Sequence, residues 1–443
     1  MKITLIKPNI GRILNGSYVD EGRMQPLQLG ILAALTPEDI EVVMYDDRME
    51  EIPYDEKTDL VAITVETFTA KRSYEISAEF KKRNIPVIMG GMHATLIPEE
   101  VQEHADSILI GDAENIWFEI IEDFKNNQLK KRYLGKFGEP QKNIFPRREI
   151  FNKKGYLPIS LMQFSRGCRY NCSYCASSVY FNRTNYCRNV ENVVKEIQDQ
   201  NLKLIFFVDD NIISNREKSK ELFKALIPLK IKWVSQASID MTEDRELMKL
   251  MSKSGCLGNV IGFESLEINN LKSMGKLHNI KENKKPYYEQ IQILRDYGQQ
   301  TWAAFTLGHE FDTIESIEKI EEFSIENKFA FAAFNVLLPY PNTQFFNKLL
   351  NENRLLYDGK WWLHDDYRFN NAAFSPKNIT PEQLSEAAFK ARKKFNSIFS
   401  IFKRSLDLKT HMRNPIRFLI YLQYNPLIRK EVFKKQGMIF GKN

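Results

Sequence analysis

Cys168-Arg169-Tyr170-Asn171-Cys172-Ser173-Tyr174-Cys175 decides the reading of this chain. Three thiols fall at C-x3-C-x2-C spacing, led in by Ser165-Arg166-Gly167. So short a loop can turn three sulfurs toward one point. Three thiolates with one position left open suit a four-iron, four-sulfur cluster, [4Fe-4S], whose remaining iron is free to take a ligand. A structural zinc site recruits a fourth protein ligand, and no His or Cys lies at a zinc-knuckle offset here. The bland alternative is three incidental buried cysteines. The chain has 5 Cys in 443 residues. Clustering of three of them fits a reducing compartment better than a disulfide framework.

Around that loop the composition is ordinary for a soluble globular chain of two or three domains, with 43% hydrophobic and 27% charged residues. The start, Met1-Lys2-Ile3-Thr4-Leu5-Ile6-Lys7-Pro8, is too short and too charged for a signal peptide. The longest apolar stretch, near residues 329–338, is about half a membrane span. The expected location is cytoplasmic, with a peripheral membrane contact for the following reason. Residues 390–443 carry 14 Lys and Arg against 2 acidic residues, so the rest of this +6 chain is acidic on balance. A basic tail on an acidic body is a candidate surface for an anionic partner, the plain alternative being a solvated helical face. Phe395, Phe399, Phe402, Phe418, Leu419, Tyr421, Leu422 and Phe433 are interleaved with those charges, among them Lys403, Arg404, Arg413 and Arg417. That mixture suits anionic lipid. RNA would want the same charge, but nucleic acid is not the expected partner.

Strand and helix signals alternate over the first ~125 residues. Strands are expected at 2–7, 40–45, 59–65, 85–89 and 107–110, and helices at 26–35, 70–83, 98–104 and 114–124. Such alternation implies an α/β domain, a parallel sheet with helices on both faces, which binds ligands at the carboxyl ends of its strands. Those ends carry Thr64-Val65-Glu66-Thr67, Gly90-Gly91-Met92-His93 and Gly111-Asp112-Ala113-Glu114. The double glycine lets backbone approach a flat or bulky ligand. Residues 126–159, rich in Gly and Pro, read as a connector. From Leu161 the pattern resumes, with strands expected at 204–208, 232–237, 259–263, 301–307 and 332–338. Pro339-Tyr340-Pro341-Asn342-Thr343 closes that unit, and the remainder reads as mostly helical with an aromatic insert at Trp361-Trp362-Leu363-His364. The two tryptophans suit a pocket lining or plain packing equally. Cys187 and Cys256 read as small buried hydrophobes, and His93 and His104 as surface or turn residues.

The cysteine spacing resembles that of the radical S-adenosylmethionine (SAM) enzymes, in which the open iron chelates SAM and reductive cleavage gives a 5′-deoxyadenosyl radical. The order of residues behind the loop resembles that family's SAM pocket. Asp209, Asp210 and Asn211 end one strand, Gln236 and Ser238 share a side of the next, and Glu264 ends the one after. Tyr174 matches the aromatic position that lies against the adenine. An acidic residue at a strand end is also a common helix cap. The chain is similar, over nearly its whole length, to the subgroup with a cobalamin-binding domain ahead of the radical SAM core, which includes hopanoid methylases and the oxidative cyclase of bacteriochlorophyll biosynthesis. The segments that carry this are Asp46-Asp47-Arg48, 64–67, 90–95, 98–100, 105–106, 111–114, 207–211, 261–265 and 339–343.

The resemblance implies a cobalamin-binding α/β domain of the Rossmann/flavodoxin-like kind at 1–126, a linker at 127–160, a partial (β/α)6 barrel at 161–345 and a mostly helical basic region at 346–443. It implies cluster ligands Cys168, Cys172 and Cys175, and SAM contacts from Tyr174, Asp209, Asp210, Asn211, Gln236, Ser238 and Glu264. Cobalamin contacts are expected from Thr64, Val65, Glu66, Thr67, Gly90, Gly91, Gly111 and Glu114. The implied activity is C-methylation of an unactivated carbon from methylcobalamin, with a rearrangement, ring contraction or cyclisation on the same cofactors as the alternative. A cluster-bearing redox sensor or nucleic-acid-binding protein is the reading from another class. The substrate is expected to be a small molecule or a lipid, and the electron donor a flavodoxin or ferredoxin. Two departures stand out. No His has an Asp two residues before it, so the cobalt-ligating D-x-H-x-x-G motif is absent. The family's P-Y-P-G-T reads Pro339-Tyr340-Pro341-Asn342-Thr343, and Asn tolerates a left-handed turn.

Overall fold

Two α/β units emerge from the alternating strand and helix segments. The structure, a computed structural model, describes residues 1–11, 23–280, 285–413 and 415–441. One unit comprises Met1–Leu157 with Tyr357–Phe369 and Gly437–Asn443; the other comprises Pro158–Leu356 and Asn370–Gln436. This differs from the four-part division expected: the connector folds with the first unit, and the C-terminal region is shared between the two.

In the first unit β1 (Lys2–Lys7), β2 (Glu41–Asp46), β3 (Leu60–Thr64), β4 (Val87–Gly90), β5 (Ser107–Ile110) and β6 (Arg132–Leu134) form a sheet in the order β2-β1-β3-β4-β5-β6. Every pairing is parallel. Helices α1 (Leu27–Leu35), α2 (Ala70–Lys82), α3 (Met92–Leu96), α4 (Pro98–His104) and α5 (Trp117–Lys125) alternate with the strands. Short Val/Ile/Leu runs are what a sheet covered on both faces needs, and all of β3 is buried. The strand order reverses between β1 and β3, the place where such sheets open a crevice at their carboxyl ends. Lys7 at the end of β1 and Glu66 just beyond β3 meet there at 2.6 Å. Trp361 and Trp362 are buried in this unit. Ring centroids of Phe68 and Trp361 are 5.2 Å apart, and those of Trp361 and Tyr367 are 5.3 Å apart. The tryptophan pair is therefore core packing.

The second unit contains β7 (Ser160–Met162), a small ribbon of β8 (Ser165–Arg166) and β9 (Tyr186–Cys187), and then β10 (Leu204–Phe207), β11 (Lys232–Ala237), β12 (Cys256–Glu264), β13 (Gln300–Leu307) and β14 (Phe331–Val336). Apart from the ribbon, the strands pair in parallel in the order β14-β13-β12-β11-β10-β7. Six parallel strands in sequential order, with helices α6 (Ala176–Tyr180), α7 (Val190–Asp199), α8 (Arg216–Leu226), α9 (Arg245–Lys253), α10 (Ile268–Ser273), α11 (Tyr287–Asp296) and α12 (Ile314–Glu326) between them, are the arrangement a partial (β/α)6 barrel requires. Phe263, Phe305 and Phe334 stack across adjacent strands, with centroids 5.7 and 5.9 Å apart. They fix the register of β12, β13 and β14 by burying one face. Asn342 takes φ 62° in the turn after β14, as the sequence expects.

Helices α13 (Gln344–Asn351), α14 (Pro381–Phe395), α15 (Ile398–Ser405) and α16 (Pro415–Lys435) complete this unit. Two of the charges expected on the tail's surface are interior. Arg404 donates to the Phe329 and Ala330 carbonyls at 2.7 and 3.0 Å. Arg417 donates to the Cys256 and Leu257 carbonyls, each at 3.3 Å. Phe395 and Tyr421 are buried with them. Lys442 of the basic tail lies outside the described residues. Among the described residues no helix is long and apolar enough to cross a membrane.

Candidate functional site

The three-thiol loop leaves the ribbon at Gly167 and runs into α6. Gly167 has φ 81°, and a Cβ there would stand 2.1 Å from the Thr184 carbonyl, so only glycine fits. The loop is braced from several directions. Asp210 accepts the Gly167 N–H at 2.8 Å, and Asn185 Nδ2 donates to the Gly167 carbonyl at 2.8 Å. Tyr170 OH donates to Asp240 Oδ2 at 2.8 Å, and its ring stacks on buried His278 with centroids 3.7 Å apart. Arg216 holds the same Asp240 oxygen at 2.7 Å. Ser173 N–H donates to the Met274 carbonyl and Phe345 N–H to that of Ser173, each at 2.9 Å.

Cys168, Cys172 and Cys175 are free thiols, each partly exposed. Burial pushes Cys172 up to about 12, with Lys276 pulling the other way. Cys168 is raised by burial and by the neighbouring Cys175. Among the described residues no group of three or more His, Cys, Asp or Glu is already closed on one point as a metal site. The donor set still fits an iron–sulfur cluster: three accessible sulfurs on one short, braced loop, with no disulfide between them. Binding there would form the thiolates and release their protons. The other cysteines are apart: Cys256 is buried as expected, whereas Cys187 is half-exposed, its Sγ 3.2 Å from Asn185 Oδ1.

The residues expected to hold SAM fall into two groups. Asp209 is fully buried and accepts from the Phe164 N–H at 3.1 Å, the Ser165 hydroxyl at 2.7 Å and the Ser165 N–H. Burial raises its carboxyl to about 7. Both of its oxygens hold the backbone just ahead of the loop, so its geometry is that of a positioning residue. Asn211, Ser238 and Asp240 form a buried chain: Asn211 Nδ2 donates to Ser238 Oγ at 3.1 Å, and Ser238 Oγ donates to Asp240. Gln236 is partly exposed on β11. The second group surrounds Glu264. This residue has φ 67°, an unusual conformation for a non-glycine and a marker of a functional constraint. Its Oε1 pairs with Lys276 Nζ at 2.6 Å, both side chains being nearly buried. A Cβ at Gly262 would lie 2.1 Å from Glu264 Oε1, so this glycine keeps room for the pair. Tyr174 packs edge-on against His309, centroids 6.1 Å apart, and its phenol is raised first by burial and then by Glu264. Thr306 bridges Glu264 Oε2 and His309 Nε2 at 3.4 and 2.8 Å.

Lys276 escaped the sequence reading. It follows Gly275 after α10, 12 residues past Glu264, and its only signal is a Gly-Lys pair at a helix end. Burial opposes its charge, but Glu264 and Cys172 more than offset that and raise it. A buried ammonium beside the thiols supplies a ready partner for a carboxylate.

In the first unit, the strand ends expected to take cobalamin are β3 to Thr67, β4 at Gly90 and Gly91, and β5 at Gly111. Gly91 has φ 111°, and a Cβ there would lie 2.9 Å from the Val65 carbonyl. At Gly90 a Cβ would make only ordinary contact with Leu109, at 3.5 Å. Gly111 is required by its neighbour Gly135, whose carbonyl would lie 2.3 Å from its Cβ. Glu114 Oε2 accepts the Gln141 N–H at 2.8 Å, which ties down the segment after β6. Glu66 is held by Lys7, Thr64 is nearly buried and Val65 fully so. Thr67 serves His93: the Thr67 hydroxyl is 3.3 Å from Nδ1, and Nε2 is 3.2 Å from Glu100 Oε1. A carboxylate only accepts, so Nε2 carries a hydrogen toward Glu100. The same Glu100 oxygen accepts from Tyr74 OH at 3.0 Å and Trp362 Nε1 at 2.9 Å, and Lys360 Nζ lies 3.1 Å from Oε2. His93 is thus fully interior, not at the surface as expected, and both ring nitrogens are engaged. His104 is half-buried, stacked on Tyr74 at 3.8 Å. These strand ends present glycine backbone at Gly90 and Gly91, beside a histidine whose two ring nitrogens are engaged.

Residues 162–324 match the family model described as the Radical SAM superfamily. The bacteriochlorophyllide d C-8(2)-methyltransferase of Chlorobaculum tepidum is 29% identical over 439 residues, covering 89% of this chain and 96% of the relative. The C-12(1)-methyltransferase of the same organism is 27% identical, covering 92% and 89%. Among solved structures, the radical SAM methyltransferase TsrM of Kitasatospora setae, with cobalamin and a [4Fe-4S] cluster bound, superposes with a TM-score of 0.60 at 15% identity, covering 79% of this chain and 75% of that one. At that identity the likeness speaks for the fold.

Proposed function

We propose that this chain, which belongs to the radical SAM superfamily, is a cobalamin-dependent C-methyltransferase acting on a small-molecule or lipid substrate. One observation carries the reading: a braced loop of three free thiols lies beside the buried Glu264–Lys276 pair, in a chain whose other unit is a parallel sheet with glycines at its strand ends. The relatives named as methyltransferases cover the same length of chain and support it.

Cys168, Cys172 and Cys175 hold the [4Fe-4S] cluster. Tyr174, Asp210, Asn211, Gln236, Ser238 and Glu264 form the SAM site, with Lys276 added to the expected set and Asp209 holding the loop's base. Thr64, Val65, Glu66, Thr67, Gly90, Gly91, Gly111 and Glu114 frame the cobalamin site. When bound, these groups supply the electron, the hydrogen abstraction and the methyl group; the protein supplies orientation and excludes water. Lys276 pairs with the SAM carboxylate, and the carboxylates near the loop take the SAM ammonium. A flavodoxin or ferredoxin delivers the electron. The basic C-terminal region makes a peripheral contact with an anionic membrane.

The test is anaerobic incubation of the reconstituted protein with a low-potential reductant, methyl-labelled SAM and an extract of small molecules and lipids. Mass spectrometry should find 5′-deoxyadenosine and one compound heavier by the labelled methyl. Deoxyadenosine without methyl incorporation would favour cyclisation or rearrangement. No SAM cleavage in any fraction would end the enzymatic reading.

A further inference from the structure

Helix α15 is inside out. Its buried residues are Ser400, Arg404 and Ser405. Its exposed residues include Ile398, Phe399 and Phe402, at 74%, 76% and 64%. A surface helix of a water-soluble unit normally turns its apolar stripe inward. Here the interior is satisfied by a polar device: the Arg404 guanidinium serves the Phe329, Ala330 and Phe395 carbonyls and stacks 3.8 Å from the Phe395 ring centroid. The apolar face is left to solvent. The exposure continues through the segment after α15, at Leu406, Leu408 and Met412, and onto α16 at Leu419 and Leu422. Tyr421, between those last two, donates to the Ile401 carbonyl at 2.8 Å, so α16 is fastened to α15. Eight large apolar side chains exposed between residues 398 and 422 exceed the scattered single ones of an ordinary surface and are the kind of exposure that marks an interaction site.

The surrounding charge selects the occupant. Lys403 and Arg413 are exposed among the apolar residues, and exposed Lys409 pairs with Asp296 at 2.6 Å. Asp407 is the one acidic residue between 387 and 430, and it is buried against Arg295. A second copy of this chain would bring those cations face to face across a two-fold axis. An anionic lipid surface satisfies both features, because aromatic and aliphatic side chains enter the headgroup boundary while Lys and Arg stay at the phosphates.

We propose that α15, the segment after it and the start of α16 form an insertion surface that seats the enzyme on anionic lipid through Phe399 and Phe402. This rests on the reading of the C-terminal region as membrane-facing and adds how the contact is made: apolar insertion, with charge as the guide. A lipid-seated enzyme meets apolar substrates where they are dissolved.

Co-sedimentation of the full reconstituted protein with vesicles tests it, using phosphatidylcholine alone and phosphatidylcholine with phosphatidylglycerol. Wild type should pellet with the anionic vesicles and less so at high salt. The Phe399→Ser/Phe402→Ser double variant should lose about tenfold or more in partition coefficient. Lys403→Gln and Arg413→Gln should each cost about fivefold. As an independent readout, the indole introduced by Phe402→Trp should shift its emission to the blue on anionic vesicles and be quenched by brominated acyl chains. No pelleting with either vesicle overturns the membrane contact altogether. Pelleting that the Phe variant leaves intact, with no quenching of the introduced indole, overturns insertion and leaves a purely electrostatic contact. A dimer in solution that the Phe variant converts to monomer gives the patch to a second copy and overturns the lipid assignment.

Discussion

Lys276 Nζ lies 2.6 Å from Glu264 Oε1, an almost fully buried ion pair beside the three-thiol loop. Its partners come from the left-handed end of β12 and the turn after α10, and Gly262 leaves the space in which they meet. Removing one member of a buried pair leaves the other uncompensated, at about 3–5 kcal/mol.

Lys276→Met should therefore lower stability by about 3 kcal/mol. It should also weaken SAM binding by at least about tenfold while leaving the iron content of the reconstituted protein unchanged. Gly262→Ala should reproduce both effects without touching a charged residue. Iron analysis with SAM titration monitored by electron paramagnetic resonance checks this; loss of iron in parallel with SAM binding would assign Lys276 to the cluster.

Replacing Cys168, Cys172 and Cys175 together by Ala should abolish the brown colour and the iron. A Cys187→Ala variant should keep both, since that thiol turns to Asn185. Iron and sulfide analysis after anaerobic reconstitution separates the two.

Tyr170→Phe removes the hydroxyl bond to Asp240 but keeps the ring on His278. A loss of about 1 kcal/mol is expected, with full iron loading and faster bleaching of the cluster in air. Bleaching at the wild-type rate would mean that Arg216 and Ser238 suffice to hold Asp240.

Glu100 gives the first unit an acid-sensitive element. Burial alone would raise its carboxyl, but His93, Trp362 and Lys360 hold it at about 2, against an ordinary 4.5. The folded value is the lower, so this stabilisation is complete above about pH 4.5 and drains away as pH falls toward 2. Glu100→Gln should lower stability at pH 7 by about 2 kcal/mol and flatten the loss between about pH 4.5 and 3. Urea unfolding at the two pH values, followed by tryptophan fluorescence, reads both.

Arg404→Gln should behave as a core substitution, because burial lowers its guanidinium to about 10 and its donors serve backbone carbonyls. A loss of about 2–4 kcal/mol is expected, with the salt dependence of vesicle binding unchanged. Lys403→Gln should do the reverse, and thermal melts alongside sedimentation distinguish them.

The cysteine spacing and the alternation of short apolar runs made the cluster loop and both parallel sheets legible, and Asn342 advertised its turn. Other features were hidden for identifiable reasons. Lys276 reaches its site through a turn that no local pattern marks. An acidic strand end has the same sequence whether it faces a ligand or, as Asp209 does, the backbone of its own loop. Helical spacing groups Ile398, Phe399 and Phe402 on one face but cannot say whether that face looks inward, so buried Arg404 read as surface charge. Trp361 and Trp362 belong to a core whose strands end far earlier in the chain, a distance over which periodicity carries no information.

That last feature bears on how the polypeptide is made. The sheet of the first unit emerges from the ribosome early, but Phe68 waits for Trp361, Phe369 and Phe440 to cover it, and Glu100 waits for Trp362 and Lys360. Until translation nears its end, the nascent domain holds an uncovered aromatic face and a buried carboxylate lacking two of its partners. A ribosome that stalls before the codon for Trp361 releases all six strands of the sheet without the aromatic and ammonium partners that later segments bring to Phe68 and Glu100.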